Sequence, residues 1–388
     1  MQIWTLKADH EHKADWLDVP GHHAAHNPCP SCPCDTSATS RSWTAVPPHN
    51  TWKRFASMAE WYEWCKVVVV SDKVGKPPIA WFMKWADGGL GLSIFMLFQD
   101  TLHALDLGVT GHVLANVLTY MVESDLMGEG GNKEQKVKTL WREIQAEYKE
   151  QDIANQIGNL TMSMFCAKPM SDYPELTTHI KGAQARSLVA PVCAVFGMRG
   201  RFIPGKADYT PMDHEVWLVI KSLATFYEVL MTNMRNDKWR YNAHDIKVVE
   251  DSVTTMMVIY KRLSLRHMFG EGPAWVATVG PRWKWTSKHH HVLHIPDEAM
   301  LQCIHLAWCY MCEGFVGTMK KVGESCRHAY KAAHRSVAIC RKWATGTCIM
   351  LGFVSQLTDA SHDLAYPVGP EHADDADTMA EELFGMGS

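Results

Sequence analysis

The segment that most constrains the fold is Asp100-Thr-Leu-His-Ala-Leu-Asp-Leu-Gly-Val-Thr-Gly-His-Val-Leu-Ala-Asn-Val-Leu118. Its apolar residues recur at helical spacing and form one face, made of Leu102, Leu105, Val109, Val113 and Val117. An apolar run just upstream, Leu92–Phe98, has the length and composition of a buried strand. The sequence therefore predicts a strand that leads into a buried helix, with Asp100 placed to cap that helix.

The polar residues at this junction, Asp100, His103 and Asp106, have two interpretations. Metal-dependent nucleases hold Mg²⁺ with carboxylates at strand ends, because a rigid sheet fixes the distance between them. In the simpler interpretation Asp100 is an N-cap, and Asp106 is an early-helix acid that the helix dipole favours. Taken alone, the segment favours the simpler interpretation.

The rest of the chain is mainly helical in its pattern. Helices are predicted over four further stretches: Asp213–Met234, Ala243–Arg266, Asp297–Tyr310 and Phe315–Phe353. The charged stretch Glu129–Ile153 indicates a solvated helical insertion, whereas the prolines of Gly270–Pro296 break the helical pattern. Ile3–Leu6 and Val67–Val70 are two further predicted strands. The expected fold class is α+β and mostly helical.

The composition excludes several classes of protein. Of the 388 residues, 47% are hydrophobic and 21% are charged, which is typical of a globular chain and not of a disordered or collagen-like one. The longest apolar runs are shorter than the roughly 20 residues that span a bilayer, so no membrane anchor is expected. The 12 cysteines, without a signal-peptide pattern, indicate reduced thiols or metal ligands. We therefore expect a reducing compartment, the nucleus or the cytosol.

Charge is distributed unevenly along the chain. The net charge is −4, but residues 359–388 carry eight acids and no Lys or Arg, so the remainder carries +4. Between Gly314 and Gly346, seven basic residues lie against the single acid Glu324. Such a segment can neutralise DNA phosphates, or it can be a solvated helix face. The candidate phosphate contacts are Lys320, Lys321, Arg327, Lys331 and Arg335.

Cys29-Pro-Ser-Cys32-Pro-Cys34 is the sharpest local signal for a metal site. Two thiolates separated by two residues can hold one Zn²⁺ with Zn–S bonds of about 2.3 Å, and the prolines stiffen the loop. A structural site needs four ligands, and no second Cys-x-x-Cys pair follows at zinc-finger spacing. The remaining ligands must come from Cys34, from upstream histidines such as His26, or from a distant part of the chain. A proline-rich loop without a metal is the alternative.

A second cluster of potential ligands is Lys288-His-His-His-Val-Leu-His294. If this segment is extended, His289 and His291 share one face, and His290 and His294 share the other. All four histidines then cannot bind one ion. The cluster predicts either a metal pair or histidines that are buried or solvated without a metal.

Together these motifs resemble eukaryotic cut-and-paste transposases of the CACTA and Plavaka-like groups, in particular transposase-derived multicopy proteins of algal protist genomes. Asp100-Thr-Leu-His103 is similar to the family's Asp-x-x-His segment that runs into a helix. Ala8-Asp9, followed by Cys29-Pro-Ser-Cys32, is similar to its Gly-Asp strand end and its Pro-Cys-x-x-Cys knuckle. Ser287-Lys-His-His-His-Val-Leu-His294 and Tyr310-Met-Cys-Glu-Gly-Phe315 resemble its His-containing segment and the acidic residue before its basic helix.

The resemblance implies a fold and a chemistry. The fold is an RNase H-like core with a large helical insertion, in which carboxylates bind two Mg²⁺ or Mn²⁺ ions for phosphodiester chemistry. Carried over by position, Asp9, Asp100 and Glu313 are the candidate catalytic acids, with His103 beside them. DNA is the implied partner, and a homo-oligomer is compatible with it.

Departures from the family pattern lower the expectation of catalysis. Ala8 stands where the family has Gly, and the family carries a further strand and acid upstream, whereas this chain begins at Met1. A missing strand would expose a sheet edge and remove a metal ligand. We therefore expect a partial RNase H-like core in a transposase-derived DNA-binding protein that has lost catalysis. The alternatives are a zinc-stabilised helical interaction module and an intact metal-dependent nuclease.

The chain is expected to divide into five segments. Residues 1–50 hold the strand end and the Cys-rich knuckle, and residues 51–125 hold a β-containing core piece and the Asp-x-x-His helix. Residues 126–286 are the helical insertion, residues 287–358 carry the His-rich segment and the basic helices, and residues 359–388 are an acidic, disordered tail.

Overall fold

The computed structural model describes residues 29–64, with gaps at 30, 37–41, 58 and 62, and residues 98–307, with gaps at 128–130, 166–172, 178, 200–209 and 269–281. The chain divides into two compact units, Met1–Cys309 and Tyr310–Ser388, and every described residue belongs to the first. The finer division into five segments stays a prediction.

Helices make up most of the described chain. They are α1 (Thr110–Glu123), α2 (Lys133–Glu150), α3 (Gly182–Arg199), α4 (Pro211–Arg235), α5 (Ala243–Met268), α6 (Ser287–Val292) and α7 (Ile295–Ala299). A π-helix, Leu102–Val109, leads directly into α1. Short 3-10 helices lie at Asp125–Met127, Met162–Met164 and Ile304–Ala307.

The π-helix and α1 form the central element of the core. The five residues of the predicted apolar face are each at most 3% exposed. Burial extends around α1, since even Asn116 and Thr119 are 1% and 0% exposed. The stretch Leu102–Glu123 is long and apolar enough to cross a membrane, but its most apolar 18 residues are 94% buried inside the protein. Burial on every side is expected of a helix at the centre of a bundle.

α2 and α4 begin with side-chain caps that the sequence encodes locally. In α2, the side chain of Asn132 accepts the N–H of Gln135, and the side chain of Gln135 accepts the N–H of Asn132. α4 begins in the same way at Thr210, and Pro211 follows at a position where its missing N–H is not needed. Both helices then bury one face, which in α2 consists of Val137, Leu140, Ile144, Glu147 and Tyr148.

α4 and α5 form an antiparallel hairpin. Glu215, near the start of α4, accepts hydrogen bonds from Arg262 and Arg266, near the end of α5, at 3.0 and 2.7 Å. At the opposite end, Asn233 of α4 donates to Asp245 of α5 at 3.0 Å. The interior of these two helices is apolar and buried, and it includes Val219, Leu223, Phe226, Val253 and Met257.

The mostly helical character is confirmed, and α4 and α5 match the helices predicted at Asp213–Met234 and Ala243–Arg266 within two residues at each end. The prediction was wrong around Gly270–Pro296, because α6 lies inside that stretch. Pro296 does not interrupt a helix but stands in the first turn of α7, where proline is tolerated. In place of the long helix predicted at Asp297–Tyr310, the described residues up to 307 form the end of α7 and a 3-10 turn.

The β part of the predicted fold is not described. The described residues contain one isolated bridge, between Asp35 and Ser42, and no strand. The strands predicted at Ile3–Leu6 and Val67–Val70 lie outside the described residues, as does the third except for Phe98. The RNase H-like core therefore stays a prediction.

The described part of residues 29–55, called here the irregular segment, contains no helix or regular strand but is held on the helical core. Ser31 is one link, because its hydroxyl accepts a hydrogen bond from the side chain of Gln99 at 3.0 Å. Within the segment, the carbonyl of Ser31 accepts the N–H of Phe55 at 3.1 Å. The indole of Trp52 is buried and donates to a carbonyl of the same segment at 3.0 Å. These contacts bring Cys29 and Cys32 beside the start of the π-helix.

Candidate metal centre

Four side chains from two distant parts of the chain meet in one buried cluster. Cys29 and Cys32 come from the irregular segment, His290 comes from α6, and His294 comes from the turn between α6 and α7. Their ligand atoms all lie within 4.8 Å of one another, and no residue of the four is more than 1% exposed. This buried Cys₂His₂ cluster could hold a metal ion.

The distances between the ligand atoms are those of a tetrahedral site. Cys29 Sγ lies 3.4 Å from His294 Nε2, Cys32 Sγ lies 3.3 Å from His290 Nε2, and the two Nε2 atoms are 3.2 Å apart. Zn–S bonds of about 2.3 Å and Zn–N bonds of about 2.0 Å give tetrahedral edges of about 3.5 Å for S···N and about 3.3 Å for N···N. These three distances therefore fit a tetrahedral metal site with two sulfur and two nitrogen ligands.

Hydrogen bonding on the outer side of the rings directs Nε2 of His290 towards the centre. Its Nδ1 lies 3.0 Å from the carbonyl oxygen of Trp43, so Nδ1 carries the proton and Nε2 presents a lone pair. Nε2 of His294 faces that lone pair, and two lone pairs cannot face each other at this distance without a proton or a cation between them. Nδ1 of His294 is buried and has no hydrogen-bond partner among the described residues.

The start of α6 determines which histidines reach the cluster. The backbone N–H of Thr286 donates to Nδ1 of His289 at 3.1 Å, so the His289 side chain is part of the N-terminal cap of α6. Its ring packs on Tyr260, with 4.5 Å between the ring centroids. His290 and His294 are four residues apart and lie on the same side of this helical turn.

Gly108 of the π-helix allows α6 to lie close to the core. A Cβ at this position would be 2.6 Å from Cδ of Lys288 and 2.8 Å from the carbonyl oxygen of His103, which is closer than side chains approach. Because Lys288 stands two residues before His290, the contact at Gly108 sets the position of the metal-binding turn.

The cluster is enclosed by an aromatic ring and by a buried acid. The ring of Trp52 lies against the rings of His290 and His294, with centroid distances of 4.4 and 5.3 Å. Both carboxylate oxygens of Glu298, in α7, lie 2.9 Å from the backbone N–H of Gln99. Glu298 thus ties α7, which begins directly after His294, to the residues that precede the π-helix.

The two thiols of the cluster have pKa values shifted in opposite directions. Burial raises the pKa of Cys29, but hydrogen bonds from Cys32 and Cys34 and the charge of His294 outweigh it, so the pKa lies well below its usual range. Burial and the neighbouring Cys29 raise the pKa of Cys32. Burial lowers the pKa of His294, but the Cys29 thiolate outweighs this and raises it. One thiolate is therefore already favoured, and a divalent cation would favour the second.

The sequence predicted half of this ligand set. Cys29 and Cys32 are in the cluster, and their partners come from a distant part of the chain, which was one of the three sources considered. Cys34 is also fully buried and hydrogen-bonds to Cys29, but it is not one of the four grouped ligands. His26 lies outside the described residues.

The two histidine ligands were missed because the segment was taken as extended. That conformation was wrong, since residues 287–292 are helical. The signal that could have identified the ligands is the spacing of four residues between His290 and His294, which on a helix directs two imidazoles to one ion.

Of the predicted catalytic residues, Asp100 and His103 are described, whereas Asp9 and Glu313 lie outside the described residues. Oδ2 of Asp100 contacts Nδ1 of His103, and Oδ1 accepts the N–H of Leu102 at 3.0 Å. The Asp100 side chain is 2% exposed and that of His103 is 31% exposed. Asp100 therefore serves the helix start, as predicted, and also forms a carboxylate–imidazole pair that reaches the surface.

Asp106 has a structural role. Its oxygens accept hydrogen bonds from the hydroxyl of Tyr227 and, at 2.9 Å, from Arg186, and the residue is 0% exposed. The hydroxyl of Tyr227 also lies 2.7 Å from that of Thr110. This network fixes α3 and α4 to the π-helix. Both carboxylate oxygens of Asp106 already accept hydrogen bonds, so neither is available to a metal ion.

The predicted phosphate contacts Lys320, Lys321, Arg327, Lys331 and Arg335 all lie outside the described residues. No family model, curated protein or solved structure matches this chain. The resemblance to transposases therefore rests on the sequence motifs alone.

Proposed function

We propose that Cys29, Cys32, His290 and His294 bind one structural Zn²⁺ and that the protein acts as a zinc-stabilised helical module. The observation that carries this proposal is the burial of four ligand atoms within 4.8 Å of one another. Two thiolates and two imidazoles suit zinc, whereas Mg²⁺ and Ca²⁺ prefer oxygen ligands.

The closed ligand set favours a structural over a catalytic metal. A catalytic zinc keeps one coordination position for water or substrate, whereas four protein ligands fill the shell of a structural zinc. The tilted and edge-on packing of Trp52 against both imidazoles also limits the access of water to the centre. The role of the metal would be to fasten the irregular segment to α6 and α7.

Metal analysis of protein purified without chelators tests this proposal. We expect about one equivalent of zinc per chain in the wild type and almost none in Cys29→Ser or His290→Ala. Cys193→Ser is the matched control, because this thiol lies on α3, is only half-buried and is not in the cluster. Less than about a tenth of an equivalent in the wild type would refute the proposal.

A second proposed function is that of a nuclear, transposase-derived protein that binds DNA without cutting it. The contact between Asp100 and His103 favours this function, because the pair lies at the start of a π-helix and reaches the surface through His103. π-helical turns occur frequently at functional sites. Asp9 and Glu313 would complete the acids of an RNase H-like centre, and an active enzyme would also need Mg²⁺ or Mn²⁺.

The salt dependence of DNA binding tests this second function. Each phosphate that a Lys or Arg neutralises contributes about −0.9 to the slope of log affinity against log salt concentration. We expect the combined change of Lys320, Lys321 and Arg327 to Ala to flatten the slope for a duplex. Lys247→Ala, an exposed position on α5, is the control. An unchanged slope in the triple variant would remove these residues from the proposed contacts.

A nicking assay separates the inactive protein from an intact nuclease. We expect no cleavage of a labelled duplex above the buffer background when the protein is incubated with Mg²⁺ or Mn²⁺. Cleavage by the wild type that disappears in both Asp100→Ala and Glu313→Ala would overturn the proposal of lost catalysis.

A further inference from the structure

The turn between α4 and α5 presents an aromatic ring surrounded by positive charge. Trp239 is 61% exposed, more than any other large hydrophobic side chain in the described residues. The guanidinium of Arg240 lies over its ring, 4.5 Å from the centroid, within the range of a cation–π contact. Arg235 and Lys238 are exposed on the same turn, where Asp237 is the single acid.

The turn is held firmly although its side chains are exposed. The N–H of Lys238 donates to the carbonyl of Asn233 at 3.0 Å, and the N–H of Cys303 donates to the carbonyl of Trp239 at 2.9 Å. Tyr241, which follows, is only 7% exposed and anchors the chain before α5. A ring presented by a fixed backbone loses little conformational entropy when it binds a ligand.

We propose that Trp239, Arg240, Lys238 and Arg235 form a contact surface for single-stranded nucleic acid. An unpaired base stacks on the open face of Trp239, and the three cations neutralise the flanking phosphates. None of these cations forms an ion pair within the described residues, so binding does not require an existing pair to break. A purely apolar protein partner would gain nothing from three cations around the ring. This inference rests on the second proposed function and adds a contact outside the basic segment.

The test compares two probes, a fluorescent oligo(dT) and a duplex of the same length, by anisotropy with the full-length protein. Base stacking on an aromatic ring corresponds to a roughly 5- to 100-fold change in affinity when the ring is removed. We expect Trp239→Ala to weaken oligo(dT) binding by this factor and to change duplex binding much less. Trp239→Phe should restore most of the affinity. Met198→Ala, which removes another exposed apolar side chain, is the control and should change neither affinity.

The outcomes separate this inference from the function on which it rests. Unchanged oligo(dT) affinity in Trp239→Ala, in a protein that still binds the duplex, overturns the inference and leaves the DNA-binding function in place. Binding of the wild type to the duplex but not to oligo(dT) has the same meaning. A wild type that binds neither probe refutes the DNA-binding function itself. Circular dichroism spectra and urea denaturation midpoints equal to those of the wild type verify that the variants are folded.

Discussion

The helical bundle and the metal-centre end of this protein are held together by different interactions. In the bundle, α1, α3 and α4 meet through apolar side chains such as Leu118, Phe196 and Leu223, each 0% exposed. At the metal-centre end, the described part of the irregular segment has no helix, and it meets the core through separate contacts such as the hydrogen bond between Gln99 and Ser31 and the ion pair between Arg54 and Glu298. Continuous apolar burial supports the first region and a few polar contacts support the second.

This difference indicates where a metal ion matters. Cys29 and His294 are 265 residues apart in the chain, so their contact closes a long loop. The bundle offsets its loss of conformational entropy by burying apolar surface, whereas the irregular segment has few large apolar side chains with which to do so. We therefore expect the proposed zinc to stabilise the metal-centre end and the bundle to keep its fold without it.

Removal of the metal should have the largest effect of any change considered. Zinc binding contributes about 10–16 kcal/mol in small zinc-dependent domains, which is as large as the stability of a whole domain. We expect chelation to increase amide hydrogen exchange in residues 29–55 and in α6, while α4 and α5 stay protected. Exchange followed by mass spectrometry measures both regions in one sample.

Two results would contradict the claim that the metal stabilises one region and apolar burial the other. Equal loss of protection in the irregular segment and in α5 would show that the two ends unfold as one unit. Unchanged exchange in residues 29–55 after chelation would show that the metal does not stabilise this segment. Cys193→Ser should behave as the wild type in both conditions.

A cavity in the bundle should have the next largest effect and should leave the metal in place. Leu223 is 0% exposed in the middle of α4, so Leu223→Ala should lower the free energy of unfolding by about 2–5 kcal/mol. Urea denaturation measures this loss, and zinc content should stay unchanged. Leu265→Ala is the control, because Leu265 is 37% exposed on α5 and its truncation should cost far less.

Several bundle helices were predictable from the sequence, because they depend on local patterns, whereas α3 was not predicted. The apolar spacing that begins at Leu102 and the long amphipathic stretch from Asp213 correspond to buried faces. The π-helical form of residues 102–109 was not predictable, since it depends on tertiary contacts such as the hydrogen bond between Asp106 and Arg186. Local spacing identifies a helix but not the hydrogen-bond register that its surroundings select.

A methyl group at Gly108 should have a smaller effect that connects the two regions. Gly108→Ala would place a Cβ 2.8 Å from the backbone oxygen of His103 and 2.6 Å from Cδ of Lys288, so the π-helix backbone must shift and the Lys288 side chain of α6 must move aside. We expect a loss of about 1–3 kcal/mol in stability. Because α6 carries His290, we also expect zinc to be lost to a competing chelator at a lower chelator concentration.

Gly111→Ala is the matched control for this substitution. A Cβ there would meet only Leu176, at an ordinary 3.9 Å, and Gly111 lies within α1. Alanine at this position should stabilise the helix by about 0.5–1 kcal/mol and leave zinc retention unchanged. Equal zinc retention in Gly108→Ala and Gly111→Ala would show that the contact at Gly108 does not position the metal-binding turn.

The metal centre was only partly predictable, because it joins segments that no local pattern connects. The Cys29-Pro-Ser-Cys32 spacing identifies two ligands, since both sulfurs belong to one short loop. The choice of His290 over His289 depends on the cap at Thr286, which fixes which ring faces the cluster. This choice depends on the helical conformation of residues 287–292. The sequence did not predict that helix, because the nearby prolines indicated a break in the helical pattern.

The smallest predicted effect belongs to the cap at the start of α2. Asn132→Ala should lower the free energy of unfolding by about 1 kcal/mol, since the N–H of Gln135 loses its acceptor, which lies 2.8 Å away. Gln135→Ala should cost a similar amount, and the double variant should cost less than the sum because the two side chains cap each other. Urea denaturation of the three variants measures these differences. Zinc retention should equal that of the wild type, because no cluster ligand lies near α2 in the chain. Zinc loss in Asn132→Ala would mean that the bundle and the metal-centre end are energetically coupled.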